Sequence, residues 1–406
     1  MVSILYQVKK PMPQPPRFSY FLSNDDHPVH KNLFLWDAAI PSSRNPDSRQ
    51  IKPAEGTAIT YAEYFKAVTE FLSAQSYETV CKAASSILNR KIPSEALKEI
   101  RIYLEKHGEF YHPARVVTTV DEKRVVFVLN VAVSSVGKEY LEGEYHNLNR
   151  LQKIYLFDFI PKVYEYGCVQ IDDNRQVRMF LGEWFEGYHE FHVSEKGDHP
   201  TSRIALWDTE NGNFFLSKEQ ATRLYENATT ILTAYYNLET YEQIFSWHHA
   251  AGDFVVNMDT AVPRVKLITV RRYERLLKKA DDDIATTANA LLLFLLNVSI
   301  RMRIDRIDGV GEISWIDDFA MEGILKGFFK GLRLATMKAA IPDTFVDAFK
   351  VFLKGIPDKE FFDLFHAIMG RMGALNPDRV VVKSHLKNHI NVFLKKMPKI
   401  LDSSVR

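Results

Sequence analysis

Apolar positions recur along this chain with two periods, and the switches between them mark where one kind of structure gives way to another. Between residues 60 and 88 the spacing is helical. Thr60 stands ready to cap a run in which Tyr64, Phe65, Val68, Phe71 and Leu72 share a face, and 77–88 continues in the same manner. Pro93 and Ser94 predict another helix through Leu97, Ile100, Ile102, Tyr103 and Leu104, ended by Gly108. Ahead of these, residues 1 to about 58 are rich in Pro, Asn, Asp and Ser around one apolar island at 33–40, which predicts an irregular arm. From His112 the period shortens to two. The β-branched runs 114–120 and 124–133 flank Asp121, Glu122 and Lys123, a hairpin signal. A helix over 138–153 would align Leu141, Glu144, Leu148 and Leu151, and strands are predicted near 162–170 and 176–183.

Beyond the segment LGEWFEGYHEF, runs 204–207 and 213–216 flank Asn211-Gly212 and predict a surface hairpin. Ser217 and Gln220 form a capping-box pattern ahead of Leu224, Ala228, Ile231, Leu232 and Tyr235. The stretch 246–273 reads as a loop, a short strand at 254–256, a turn through 259–263 and a second strand at 265–270. Everything from 281 onward reads as helices, at 283–303, 316–335, 342–353, 358–370 and 383–400. The fold class predicted is α+β. A helical extension at 1–110 precedes a small antiparallel-sheet lobe with one helix at 111–185, and a larger, mainly helical lobe at 186–406.

Composition narrows the function classes. With 406 residues, 46% of them hydrophobic, and a net charge of +1, the chain can bury a sizeable core and has no global field favouring nucleic acid or an anionic membrane. Cys81 and Cys168 are far apart and lack metal-ligand spacing, which fits a reducing cytoplasm, and the N-terminal stretch has no apolar run of signal-peptide length. The longest uncharged run, 284–300, is short for a membrane span and carries Thr286, Thr287, Asn289, Asn297 and Ser299, so a buried helix is expected and no transmembrane segment.

Chemistry concentrates in 246–273, where polar groups sit at the mouth of an apolar hairpin. His248 and His249 are either loop histidines bonded to backbone or a general base, since imidazole titrates near neutrality. Asp253 either satisfies local backbone donors or faces a cleft. Arg271 and Arg272 can grip an oxyanion, although a solvated turn is the plainer reading, and Lys266 is expected to point outward. Core packing is the favoured reading of Trp184, Phe185, Tyr188 and Phe191. A solvated amphipathic face is favoured for the basic C-terminal helix.

The order of a sheet-plus-helix lobe, a linker and a helical lobe with a loop and hairpin resembles the protein kinase-like fold, and within it the aminoglycoside phosphotransferase and choline-kinase family. The family's catalytic loop, roughly His-Gly-Asp-Leu-His-x-Gly-Asn before an apolar strand, is matched by Ser246-Trp247-His248-His249-Ala250-Ala251-Gly252-Asp253 followed by Phe254-Val255-Val256. Its closing Ile-Asp-(Trp/Phe)-Glu is matched by Leu267-Ile268-Thr269-Val270. The resemblance implies ATP and magnesium as cofactors, a base near the acceptor and a lysine on the phosphates. It assigns His248 to the base and Asp253 to a metal-ligand position, and it sets Asn130, Glu144, Glu183 and Thr269 around the nucleotide cleft. Asn130 stands where the family has its lysine, Glu144 where that lysine's carboxylate partner would be, and Thr269 where it has the essential metal-binding Asp. No glycine-rich phosphate loop precedes Val125. The resemblance thus implies a degraded phosphotransfer site, a pseudokinase that binds a small molecule or a protein between its lobes. A second reading is a divergent small-molecule phosphotransferase using His248 and Asp253. A third is unrelated metal or acid–base chemistry at His248, His249 and Asp253.

Overall fold

The structure, a computed structural model, describes residues 15–23, 27–41, 58–108, 110–195, 203–208, 211–245, 250–276, 284–339, 341–342, 344–374 and 376–402. The chain is α+β and divides into two compact units, Met1–Tyr145 with Lys162–Trp184, and His146–Pro161 with Phe185–Arg406.

In the first unit, strand β1 (Arg17–Leu22) and a short 3-10 turn at Phe34–Asp37 lead to helix α1 (Tyr61–Leu88). Strands β2 (Leu97–Leu104), β3 (Ala114–Val120) and β4 (Lys123–Ala132) follow, then helix α2 (Ser135–Ile154), which runs on into the second unit, and strands β5 (Val163–Gln170) and β6 (Gln176–Glu183). They form a six-stranded sheet of order β1-β2-β3-β4-β6-β5, antiparallel except for the β1–β2 pair. The caps and turns follow the residues. Thr60 closes a capping box with Glu63, and Asp121 and Glu122 take φ of 44° and 69° in the two-residue turn that a twisted hairpin requires.

Two expectations for the first 110 residues are corrected. Residues 97–104, read as a helix, are a strand inside the sheet. Leu97, Ile100, Ile102 and Leu104 are buried while Lys98 and Arg101 are exposed, so the last three apolar positions alternate with period two. A register shift between Leu97 and Ile100 displaces the first of them and mimics helical spacing. The arm, read as irregular, contributes β1 in parallel to β2. Both strands therefore belong to the same sheet as β3 and β4. Helix α1 lies against this sheet, with Tyr20 between Phe65 and Trp36 at ring distances of 4.9 and 5.7 Å, and the Tyr64 hydroxyl donates to the His112 carbonyl at 2.7 Å.

The second unit opens with strands β7 (Glu190–Ser194), β8 (Arg203–Trp207) and β9 (Phe214–Phe215), which form a sheet. It continues through helix α3 (Lys218–Ala234), strand β10 (Glu242–Phe245), the short helix α4 (Ala250–Asp253) and strands β11 (Phe254–Asn257), β12 (Arg264–Leu267) and β13 (Arg272–Arg275). Helix α5 (Ile284–Arg301), strands β14 (Ile304–Arg306) and β15 (Ile313–Trp315), and helices α6 (Phe319–Thr336), α7 (Phe345–Gly355), α8 (Asp358–Arg371) and α9 (Asp378–Asp402) complete it. The β14–β15 hairpin interrupts a region expected to be all helix. Strands of three residues are too short to show a period, and Asp308 and Gly309 carry the positive φ that turns the chain. Among the described residues no helix is long and apolar enough to cross a membrane.

Helices α3 and α6 form the frame of this unit. Gly323, Gly327 and Gly331 line one face of α6, and a Cβ on any of them would run into the backbone carbonyls of Thr222, Glu226 and Thr230 respectively. Both series rise together, so the two helices run parallel with their N-termini at the same end. Alanine would favour the helix itself by about 1 kcal/mol, but overpacking against rigid backbone costs more. Gly327→Ala is therefore expected to destabilise the protein by about 2 kcal/mol net, read as a lower midpoint in chemical denaturation, whereas Gly355→Ala, with open space around it, should not.

Candidate functional site

The hairpin of β11 and β12 carries the candidate residues Asp253 and Thr269 at its open end. Phe254, Val255, Val256 and Asn257 are all buried, and the pairing sets Phe254 opposite Leu267 and Asn257 opposite Arg264. Gly252, at φ +87°, turns the chain from α4 into the strand, a conformation that residues with a Cβ rarely adopt. The Ile268 N–H then donates to the Asp253 carbonyl at 2.9 Å, which brings the two ends of the hairpin together. Asn257 is occupied structurally. Its amide donates to the Gly187 carbonyl and to Asp259, and its oxygen accepts from the Asp259 N–H and from Arg264.

At the open end of the hairpin, Arg271 Nη1 donates to Asp253 Oδ1 at 2.8 Å, with the two side chains 16% and 5% exposed. The sequence favoured a solvated turn for Arg271; the structure turns it inward onto this carboxylate. The backbone of the same segment is held by Asn147 of α2, whose amide donates to the carbonyls of Val270 and Arg271 at 3.2 and 3.3 Å. Lys266, expected to point outward, is 12% exposed and pairs with Asp158 at 2.7 Å beside the Phe185 ring. Thr269 is buried, and its hydroxyl has no hydrogen-bond partner among the described residues. Such an orphan costs roughly 1–3 kcal/mol.

His248 and His249 lie outside the described residues. Asn130, Glu144 and Glu183 fall in the first unit, and Asp253 and Thr269 in the second. Asn130 is half-buried opposite Phe180, while Glu183 stands opposite Phe127 and accepts the Lys162 N–H at 3.1 Å. Three positions separate the two pairs, so alternation puts Asn130 and Glu183 on opposite faces of the sheet. Glu144 is buried on α2 with Leu141, Leu148 and Leu151, the face that the sequence aligned.

No family model matches this chain, and no curated protein does. Among solved structures, one described as WaaP in complex with acyl carrier protein is similar over 62% of this chain and 85% of its own, at 11% identity and a TM-score of 0.29. A likeness at that level carries no argument.

Among the described residues, those at the hairpin do not assemble a ligand set for a magnesium ion. A hard divalent cation wants several anionic or carbonyl oxygens free to close around it. Here the Asp253 carboxylate already faces the Arg271 cation, and position 269 offers a neutral hydroxyl in place of a carboxylate. Among the described residues no group of three or more His, Cys, Asp or Glu is arranged to hold a metal.

One cluster outside the hairpin had no signal in the sequence. His192 of β7 is buried 3.5 Å from Asp305 of β14 and 3.9 Å from Glu190, its ring 4.5 Å from Trp207 and against Gly309. These distances make ion-pair contacts rather than hydrogen bonds, and both ring nitrogens lack hydrogen-bond partners. Burial opposes the imidazolium, but Asp305 and then Glu190 outweigh it, so the pKa is raised. A histidine 113 positions from its carboxylate gives no local pattern.

Two outcomes follow from these geometries. Thr269→Val keeps the shape and removes the orphaned hydroxyl, so it should raise the thermal midpoint, by about 1 kcal/mol of stability. With the folded pKa of His192 raised, its contribution is complete below about pH 6.5, the ordinary imidazole value, and is lost as the pH rises through the higher folded value. Denaturation curves between pH 5.5 and 8.5 should therefore show the wild type losing stability relative to His192→Gln.

Proposed function

We propose that this chain is a kinase-like module with a degraded phosphotransfer site, a binding or regulatory protein rather than a catalyst. The proposal takes its fold reading from the resemblance of the loop and hairpin at 246–270 to the aminoglycoside phosphotransferase and choline-kinase pattern. The observation that carries it is the ion pair between Asp253 and Arg271. Phosphoryl transfer works by positioning and by neutralising phosphate charge with metal ions held on carboxylates. In this hairpin the carboxylate at the metal-ligand position is neutralised from within, by a guanidinium that no ordinary pH discharges.

Two further substitutions point the same way. The strand that should present a phosphate-binding lysine has Asn130, an uncharged amide, and the metal-binding Asp of the hairpin is replaced by Thr269. A site without that lysine and that carboxylate lacks two of the charges that offset a nucleoside triphosphate and its metal ion in phosphoryl transfer. What remains useful is the scaffold, which shared architecture leaves open to other roles.

The test is thermal unfolding with millimolar ATP and magnesium chloride. A ligand at a hundred times its Kd would add about 2.7 kcal/mol to apparent stability. The expected result is an unchanged midpoint with ATP and magnesium together. A rise of several degrees that needs both would overturn the proposal in favour of an ATP-dependent phosphotransferase.

A further inference from the structure

Away from the hairpin, the second unit contains a cavity of about 640 Å³ at the end of the helix frame where α3 and α6 both begin. We propose that it is a binding site for a small organic anion bearing an aromatic ring, an oxyanion on a flat apolar body.

The floor is Arg303, whose side chain is 1% exposed. Its guanidinium is held by three groups: Nε donates to the Ile316 carbonyl at 2.8 Å, Nη2 to Asp318 at 2.7 Å, and Nη1 faces His389 Nδ1 at 3.5 Å. The Ser299 hydroxyl spends its proton on the Leu296 carbonyl and so accepts from His389 Nε2, which leaves a lone pair on Nδ1 towards Arg303. Burial, reinforced by Arg303, keeps His389 neutral. A fixed cation thus sits beneath the cavity, with Nη1 and Nη2 each engaged by a partner and the guanidinium carbon 4.9 Å from the centre of the Trp315 ring.

The walls add two cations, Arg203 and Lys218, beside the carboxylates of Asp317 and Asp318. Because α3 and α6 run parallel, their positive ends converge here, offset in part by Glu219 and Glu322 in their first turns. Asp318, at the N-cap of α6, makes no side-chain capping bond and turns to Arg303 instead. Arg203 and Lys218 line the mouth, and among the described residues neither has a carboxylate partner; the Arg203 guanidinium lies over the Phe215 ring at 4.5 Å. With Arg303 and Asp318 offsetting one another, these two cations face a single further carboxylate among the lining residues, Asp317.

The ring specificity comes from the aromatic residues of the lining. Trp315 and His385 are stacked at 5.2 Å and 9°, and Phe319 adds a third ring at the start of α6. Aromatic faces beside cations suit a ligand that is apolar at one end and anionic at the other, and the volume is in the range of small-molecule sites.

Phenyl phosphate is the probe, titrated calorimetrically into the full chain, with phenol and inorganic phosphate as controls. Saturable binding of phenyl phosphate, well above either control, is expected. Lys218→Glu should weaken it about tenfold and Asp317→Asn should tighten it about threefold; both residues are exposed, so neither change threatens folding. Absence of saturable binding at about 10 mM, the scale of a ligand held by roughly 3 kcal/mol, overturns the proposal. So does binding that both substitutions leave unchanged, or inorganic phosphate binding as tightly as phenyl phosphate.

Discussion

The parallel packing of α3 on α6 is the constraint from which most of the second unit follows. Three glycines spaced four apart leave three successive positions on one face of α6 without side chains, and the carbonyls of α3 occupy the space. Helices in such contact cannot slide past each other without opening voids or creating clashes, because packed interiors tolerate neither. The β11–β12 hairpin is tied to the same frame, since Asn227 of α3 donates to the Pro263 carbonyl at 2.7 Å. The frame also decides where charge accumulates. Two helices starting side by side put their positive ends together, and the chain places Arg303 and a ring of polar residues there.

The hairpin and the cavity show opposite treatments of charge. At the hairpin, Asp253 and Arg271 pair within the protein. At the cavity, Arg203 and Lys218 are left without carboxylate partners among the described residues. A buried ion pair is weak evidence for stability, because desolvation offsets much of its attraction. Its informative aspect is that it fixes two charges 18 positions apart within one hairpin.

Much of the architecture was legible in the sequence where a local rule was obeyed locally. The helix cap at Thr60, the capping box at Ser217, the hairpin at Asp121 to Lys123, the β5–β6 and β11–β12 pairs and the aligned face of α2 all depend on residues within a few positions of one another. The misreadings share a cause. Strand β2 was taken for a helix because its register shift disturbs the alternation, and β14 and β15 are shorter than any period. At the site, Asp253 was legible as a polar group at the mouth of an apolar hairpin. Its neutralisation by Arg271 was not, because only the closing of the hairpin brings residues 18 positions apart into contact.

The sequence alone determined the alternation of apolar and polar positions, and with it the α+β class, most element boundaries, and the absence of a lysine at position 130 and of a carboxylate at position 269. Tertiary structure decided which charges meet. Arg271 found Asp253, Arg303 found Asp318 beneath a cavity, and His192 found Asp305, each through elements that pack for apolar reasons and carry their polar groups with them. Hydrophobic burial is non-directional and can be read from spacing, whereas an ion pair acts over a few ångströms and exists only once the chain has been folded around it.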